Sequence, residues 1–389
     1  MRSYINNFFL TIFIFFQIGH MMAKDINTPF NPGLSKLQAE KQKEKLFDDH
    51  RSYILDSRKK EMHEQHIIIE DMEIKFDLKF FGNKPKTGWD LYFSLHGGGG
   101  VADSVNESLW HRHKTLYELK EGILLTPRSP SNTWDMWHQK QVDVLLNRLI
   151  QNMITFYDVN PNRIFIMGYS AGGDGVYQLA PRMADRFAAA AMMAGHPNET
   201  SPLGLRNIGF TIHMGENDSA YDRNKVALKW KNQLQQLKDG DPNGYPHLVI
   251  IHENKGHWMG GLDTSGISWM SNFTRNPFPR KVVWKQDDVT HNRFYWLRVT
   301  DPSKDDLIVA SINDQVIEIE ETNVSEIIIT LNDHLVDMDE NVMVKYLGNE
   351  VFNGTVSRNY NTMARSMEEY GDPESIYFGE ISISLKIVD

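Results

Sequence analysis

The sequence predicts an α/β protein with a doubly wound, mostly parallel sheet, followed by a small C-terminal all-β sandwich. Three observations carry this. Between residues 67 and 275, short apolar runs alternate with helical patterns of roughly 10–15 residues, which implies right-handed crossovers and a sheet covered on both faces. Beyond residue 280 the pattern changes to short strands broken by turns. The composition, 41 % apolar and 24 % charged over 389 residues, is that of a globular chain long enough for two folded units.

The elements follow in order. Residues 1–23 begin with Arg2, continue as the apolar run Phe8–Phe16 and end at the small residue Ala23. The run is far too short to span a bilayer, which needs about 20 residues, so the stretch reads as a cleaved signal peptide and the mature protein as secreted or periplasmic, with no membrane attachment. Residues 24–66 form a charge-rich N-terminal helical segment whose apolar residues recur only at intervals (Leu34, Leu37, Leu46, Phe47, Ile54, Leu55), as on surface helices.

The α/β region, residues 67–275, opens with Met72, Ile74, Phe76, Leu78 and Phe80 alternating with polar residues, a half-buried strand. After the Gly82–Gly88 turn, Trp89–Leu95 is a second strand, and Gly122–Thr126 a third. Val142–Phe156 has helical spacing and is broken by Asn160–Pro161–Asn162. Then come strand Arg163–Met167, a helix over Gly175–Phe187, strands Ala188–Ala194 and Phe210–Met214, helix Asn224–Leu237 and strand His247–His252. Asn276–Pro279 reads as a linker, and residues 281–389 as the sandwich, with strands such as Arg293–Thr300 and Ile376–Ile387 and almost no helical pattern.

Charge and cysteine usage narrow the chemistry. A net charge of −10 without a Lys/Arg stripe argues against nucleic acid as a partner. With no cysteine, zinc–thiolate sites, iron–sulfur clusters, a thiol nucleophile and disulfides are excluded.

The strongest motif is Gly168–Tyr169–Ser170–Ala171–Gly172–Gly173, a G-x-S-x-G pattern between a buried strand and a helix. On such a turn the serine Oγ projects above the sheet edge, and the helix N-terminus faces it. Ser170 is therefore the candidate nucleophile. Upstream, Leu95–His96 leads into Gly97–Gly100. A glycine loop after a strand can turn backbone amides toward a substrate oxygen, whereas the spacing of a phosphate-binding loop is missing. The oxyanion donors are assigned to the amides of Ala171 and Gly98, with Gly99 the alternative, and His96 is read as structural.

A serine nucleophile needs a base, and the base an orienting acid. Among 15 histidines, His257 lies on the loop after the last parallel strand, behind Gly256. The acid should follow the preceding strand, where Asp218 is first choice, Asp222 second as a helix cap, and Glu216 third. Trp134, Trp137 and Trp258 are candidate substrate contacts, and His111 and His113 read as a surface pair rather than a metal site. No metal or cofactor is called for.

Together, the HGGGG loop (His96–Gly100), the G-Y-S-A-G-G turn, Gly215–Asp218 and Gly256–Trp258 resemble the α/β-hydrolase superfamily. Within it they resemble secreted esterases of the feruloyl esterase and poly(3-hydroxybutyrate) depolymerase type. The resemblance covers roughly residues 67–275. It implies cofactor-free hydrolysis of a carboxylic ester through an acyl-enzyme but does not fix the substrate, for which an esterified polysaccharide or a polyester is the leading expectation. Two rival functions stay open: a prolyl-oligopeptidase-type serine peptidase and a carbohydrate-binding protein. Only residues 196–209 separate the strand after the serine helix from the next, which predicts an open site without a lid.

Overall fold

In the computed structural model, residues 33–386 are described, so the predicted signal segment lies outside the described residues. The chain opens with α1 (Lys36–Ser57) and α2 (Lys59–Glu64). A capping box at Ser35 starts α1, where the Ser35 hydroxyl accepts from Gln38 N and the Gln38 side chain accepts from Ser35 N. Strands β1 (His66–Ile69) and β2 (Met72–Phe81) then form a hairpin. Strand β1 was not expected. Its tight turn contains no glycine, and Glu70 takes the positive φ of 55° instead.

There follow β3 (Trp89–Leu95), α3 (Asp103–His113), β4 (Gly122–Arg128), α4 (Lys140–Tyr157), β5 (Val159–Tyr169), α5 (Ala171–Arg182), β6 (Ala189–Met193), β7 (Gly209–Gly215), α6 (Arg223–Gly240), β8 (His247–His252) and α7 (Ser265–Met270). The eight strands form one sheet in the order β1-β2-β4-β3-β5-β6-β7-β8. The β1–β2 and β2–β4 pairs are antiparallel and every other neighbouring pair is parallel. Alternate residues serve opposite faces. Ile164 and Ile166 of β5 enter one apolar cluster, Phe165 and Met167 the other. This is the doubly wound arrangement that the near-continuous apolar strands predict.

Helix α5 starts at Ala171, four residues earlier than the glycine-rich sequence suggests. A Cβ on Gly172 would sit 2.0 Å from Leu95 O, and one on Gly173 2.6 Å from Met193 O. The glycines are therefore needed for close approach to the sheet, despite their low helix propensity.

The C-terminal region forms two sheets, β10-β11-β14-β17 and β16-β15-β13-β12-β9. The strands are β9 (Lys281–Lys285), β10 (Arg293–Phe294), β11 (Leu297–Arg298), β12 (Leu307–Asn313), β13 (Val316–Thr322), β14 (Glu326–Leu331), β15 (Val342–Tyr346), β16 (Asn349–Gly354) and β17 (Gly379–Ser384). The predicted strand Arg293–Thr300 is instead a tight hairpin that turns through Tyr295 at φ 52°. An unpredicted helix, α8 (Tyr360–Tyr370), is capped by Asn359 and ends at Gly371 in the left-handed conformation. Its buried residues Met363, Ser366, Met367 and Tyr370 form one face, and α1 packs on it.

The stretch Asn276–Pro279 is packed, not extended between units. Phe278 stacks on His334, and one apolar cluster runs continuously from the α/β sheet into both C-terminal sheets. Polar contacts cross the same boundary: the buried ion pair of Arg275 Nη2 with Asp372 at 2.6 Å, and His291 Nε2 against the Asp143 carboxylate at 2.7 Å.

Candidate active site

Ser170 sits between β5 and α5 with φ 58° and ψ −123°. A non-glycine residue in that region carries strain of about 1–3 kcal/mol and persists only where the surroundings enforce it. Here they do. A Cβ on Gly168 would lie 2.2 Å from Gly172 O, so strand and helix close tightly around the serine, and Ser170 N donates to Met193 O at 2.9 Å.

The ends of β7 and β8 supply the partners. His257 Nδ1 lies 2.7 Å from Asp218 Oδ2 and its Nε2 lies 3.0 Å from Ser170 Oγ. Asp218 is buried, whereas 44 % of the His257 side chain is exposed. With a carboxylate at Nδ1, the proton resides on that nitrogen, and Nε2 accepts from the serine hydroxyl. Two loops must meet for this. A Cβ on Gly215 would touch Gly256 O at 2.1 Å, and Asn217 N donates to Lys255 O at 2.8 Å. The other acid candidates do other work. Glu216 accepts from Asn254 N at 2.9 Å, and exposed Asp222 pairs with Lys225 at 2.7 Å. Asp222 is the residue before α6, as expected of a cap, but its side chain caps nothing.

Tyr169 was not anticipated. Its hydroxyl donates to His257 O at 2.6 Å and accepts from Met259 N at 3.0 Å, clamping the histidine loop. Burial pushes this phenol's pKa up, so it stays protonated and able to donate.

The glycine loop faces the serine. A Cβ on Gly97 would lie 3.1 Å from Ser170 Cβ. Of the two amides weighed there, Gly99 N is engaged, donating to Asn106 Oδ1 at 2.9 Å. Gly98 lies at φ 121°, where a Cβ would strike the same Asn106 oxygen at 2.1 Å. Asn106 in turn donates to Asn132 Oδ1 at 2.9 Å, and buried Arg128 ties Asn132 to Asp103 of α3. His96 is enclosed. Its Nδ1–H donates to Gly97 O at 2.7 Å, Nε2 accepts from Ser129 N at 3.0 Å, and burial pushes its pKa down to about 4.

The tryptophans divide. Trp258 lines the cleft beside Ser170, stacked under the Arg112 guanidinium at 5.1 Å. Trp134 is exposed and borders Gly99 and Gly100 rather than the serine. Trp137 corrects the sequence reading: it is fully buried and donates to His96 O at 2.9 Å, so it props the loop and cannot stack on a substrate.

The cleft has a volume of about 360 Å³ and is walled on one side by Leu109, Arg112 and Leu116. The 100–122 connection is therefore part of the site wall. Its helix α3 is anchored by Trp110 Nε1 donating to Thr126 O at 2.9 Å. His113 is buried against Tyr117 while His111 stands exposed beside Glu107, so the expected surface pair is split. No group of three or more His or acidic side chains among the described residues is placed to hold a metal.

One turn beyond the serine, half-buried Asp174 accepts from His196 N at 2.6 Å, and desolvation raises its pKa to about 6. Neither Asp174 nor Asn106 carries a local sequence signal, because each acts on a loop distant in the chain.

Residues 116–258 match the dienelactone hydrolase family. A bifunctional acetylxylan esterase/xylanase of Neocallimastix patriciarum is 26 % identical over 151 residues, 38 % of this chain and 22 % of that protein. The chain thus matches about a fifth of that relative's length. Among solved structures, a thermostable esterase is 18 % identical, covering 54 % of this chain and 62 % of its own, with a TM-score of 0.41. The CE1 ferulic acid esterase of Anaeromyces mucronatus is 16 % identical, covering 54 % and 89 %, with a TM-score of 0.38. The family match spans β4 to the His257 loop, and the sheet that carries these elements has the α/β-hydrolase fold.

Proposed function

We propose that this chain is an exported serine esterase that cleaves carboxylic esters on a polysaccharide, with residues 1–23 as its export signal and residues 281–389 as a β-sandwich domain packed on the catalytic domain, residues 67–275. The observation that carries the reading is the hydrogen-bonded chain Ser170–His257–Asp218 opening onto an accessible cleft. The acetylxylan esterase half of the Neocallimastix patriciarum relative's name supports the substrate class.

In this mechanism His257 Nε2 takes the proton from Ser170 as Oγ attacks the acyl carbonyl. The amides of Gly98 and Ala171 hold the developing oxyanion, at the N-terminus of α5 where the helix dipole favours negative charge. Asp218 keeps the imidazole proton on Nδ1 and stabilises the imidazolium. His257 then protonates the leaving sugar hydroxyl, and water repeats the sequence on the acyl-enzyme. Arg112 and Trp258 border the acyl group.

The test is hydrolysis of p-nitrophenyl acetate, methyl ferulate and acetylated xylan by the purified protein and by Ser170→Ala. The variant should fold normally and lose turnover by about 10⁴-fold or more. Turnover above about a tenth of wild type on a substrate that the enzyme cleaves removes Ser170 from the mechanism.

A further inference from the structure

A Cβ on Gly98 would meet Asn106 and Leu109, whereas one on Gly99 would meet Trp134. The glycine loop thus has the cleft on one side and Trp134 on the other. Beyond Trp134 lies a second recess of about 150 Å³ between the α/β sheet and the C-terminal strands, bordered by His138, Glu199, Asp287 and Lys304.

Three features mark this recess as built for a ligand. Trp134 is 63 % exposed, its ring held edge-on to His138 at 5.5 Å and 88°. His138 is 8 % exposed, and its Nε2 has no hydrogen-bond partner among the described residues. An adjoining recess shares Glu199, Asp287 and Lys304, and there Arg182 Nη1 is likewise buried without a partner. Buried polar atoms of this kind are rare in native proteins and call for a group to meet them. The lining carries Asp135, Glu199, Asp287 and Asp288 against Lys304 alone, a net negative wall that disfavours an anion. It does suit hydroxyl groups, which donate to Glu199 and Asp287 and accept from Lys304. The imidazole is neutral, its pKa pushed by burial to about 4, so Nε2 can exchange a hydrogen bond without bringing charge.

We propose that this recess is a subsite for a neutral pyranose unit, stacked on Trp134 and hydrogen-bonded by residues of both the α/β and C-terminal regions, and that it holds the sugar chain whose ester enters the cleft. The last clause rests on the esterase reading; the binding site itself does not.

The test is calorimetry with xylohexaose, cellohexaose and mannohexaose on the Ser170→Ala protein, which removes turnover from the readout. At least one hexasaccharide should bind. In that background Trp134→Ala should weaken the binding by about tenfold or more, and Asp287→Ala should also weaken it. Trp258→Ala, across the glycine loop, should leave it unchanged. No binding of any of the three at millimolar concentration, or full-strength binding by Trp134→Ala, overturns the proposal. Turnover of p-nitrophenyl acetate by the wild-type protein is measured alongside. Ester cleavage without saccharide binding defeats the subsite alone, and saccharide binding without ester cleavage defeats the esterase reading alone.

Discussion

Replacing Asp218 by Asn tests how the histidine is held. The carboxylate is buried and its Oδ2 lies 2.7 Å from His257 Nδ1, so an asparagine fits the same space. It differs in what it offers. An amide Nδ2–H pointed at the ring requires Nδ1 to accept, which moves the imidazole proton to Nε2. That nitrogen lies 3.0 Å from Ser170 Oγ and is then no longer able to take the serine proton. The imidazolium also loses its buried counter-charge. The loss should be about 10⁴-fold in kcat, or about 5 kcal/mol at the barrier, with little change in KM. Asp222→Asn should behave differently. Its carboxylate is exposed and pairs only with Lys225, so kcat should stay within about twofold. Kinetics on p-nitrophenyl acetate at one pH, with thermal melts to show that both variants fold, separate the two. The reasoning is refuted if Asp218→Asn keeps more than about a tenth of wild-type turnover, or if Asp222→Asn is the more damaged enzyme.

Three other outcomes are expected. Asn106→Ala frees Gly99 N and slackens the glycine loop, so kcat should fall by about 10- to 100-fold with KM nearly constant; an unchanged kcat would show that the loop is held without Asn106. In a p-nitrophenyl ester series, the open cleft walled by Leu109 and Leu116 should favour acyl chains of about two to four carbons, and a maximum at about twelve would contradict its shape. Asp174 has a pKa raised by burial from 3.8 to about 6, so the folded chain holds its proton more tightly than the unfolded chain does. That stabilisation is complete below about pH 4 and is lost as pH rises through about 6. Asn keeps the acceptor for His196 N and buries no charge. Asp174→Asn should therefore match wild type near pH 4 and exceed it above pH 7 by on the order of 2–3 kcal/mol in urea unfolding, whereas equal stability at the higher pH would refute the burial argument.

Local pattern alone determined the alternation of elements over residues 67–275, the turn that carries Ser170, and the positions of Asp218 and His257 at the ends of their strands. The reason is physical. Buried parallel strands must be apolar throughout, and a serine on a strand-to-helix turn needs small neighbours on both sides. The same local cues missed β1, whose turn uses Glu70 at positive φ, and α8, whose Asn359 and Gly371 caps were present in the sequence but short of a long helical period. What tertiary structure alone decided is contact between distant segments. It put Tyr169 against His257 O, Asn106 under Gly99 and α3 along the cleft, and it enclosed Trp137 while leaving Trp134 exposed. Two tryptophans separated by two residues read alike in sequence, but their fates depend on which side of a loop meets His96. Likewise Asp218 and Asp222 differ in sequence only by spacing. Burial of one beneath the histidine and exposure of the other beside Lys225 follow from how the loops after β7 and β8 meet, a contact between segments distant in the chain.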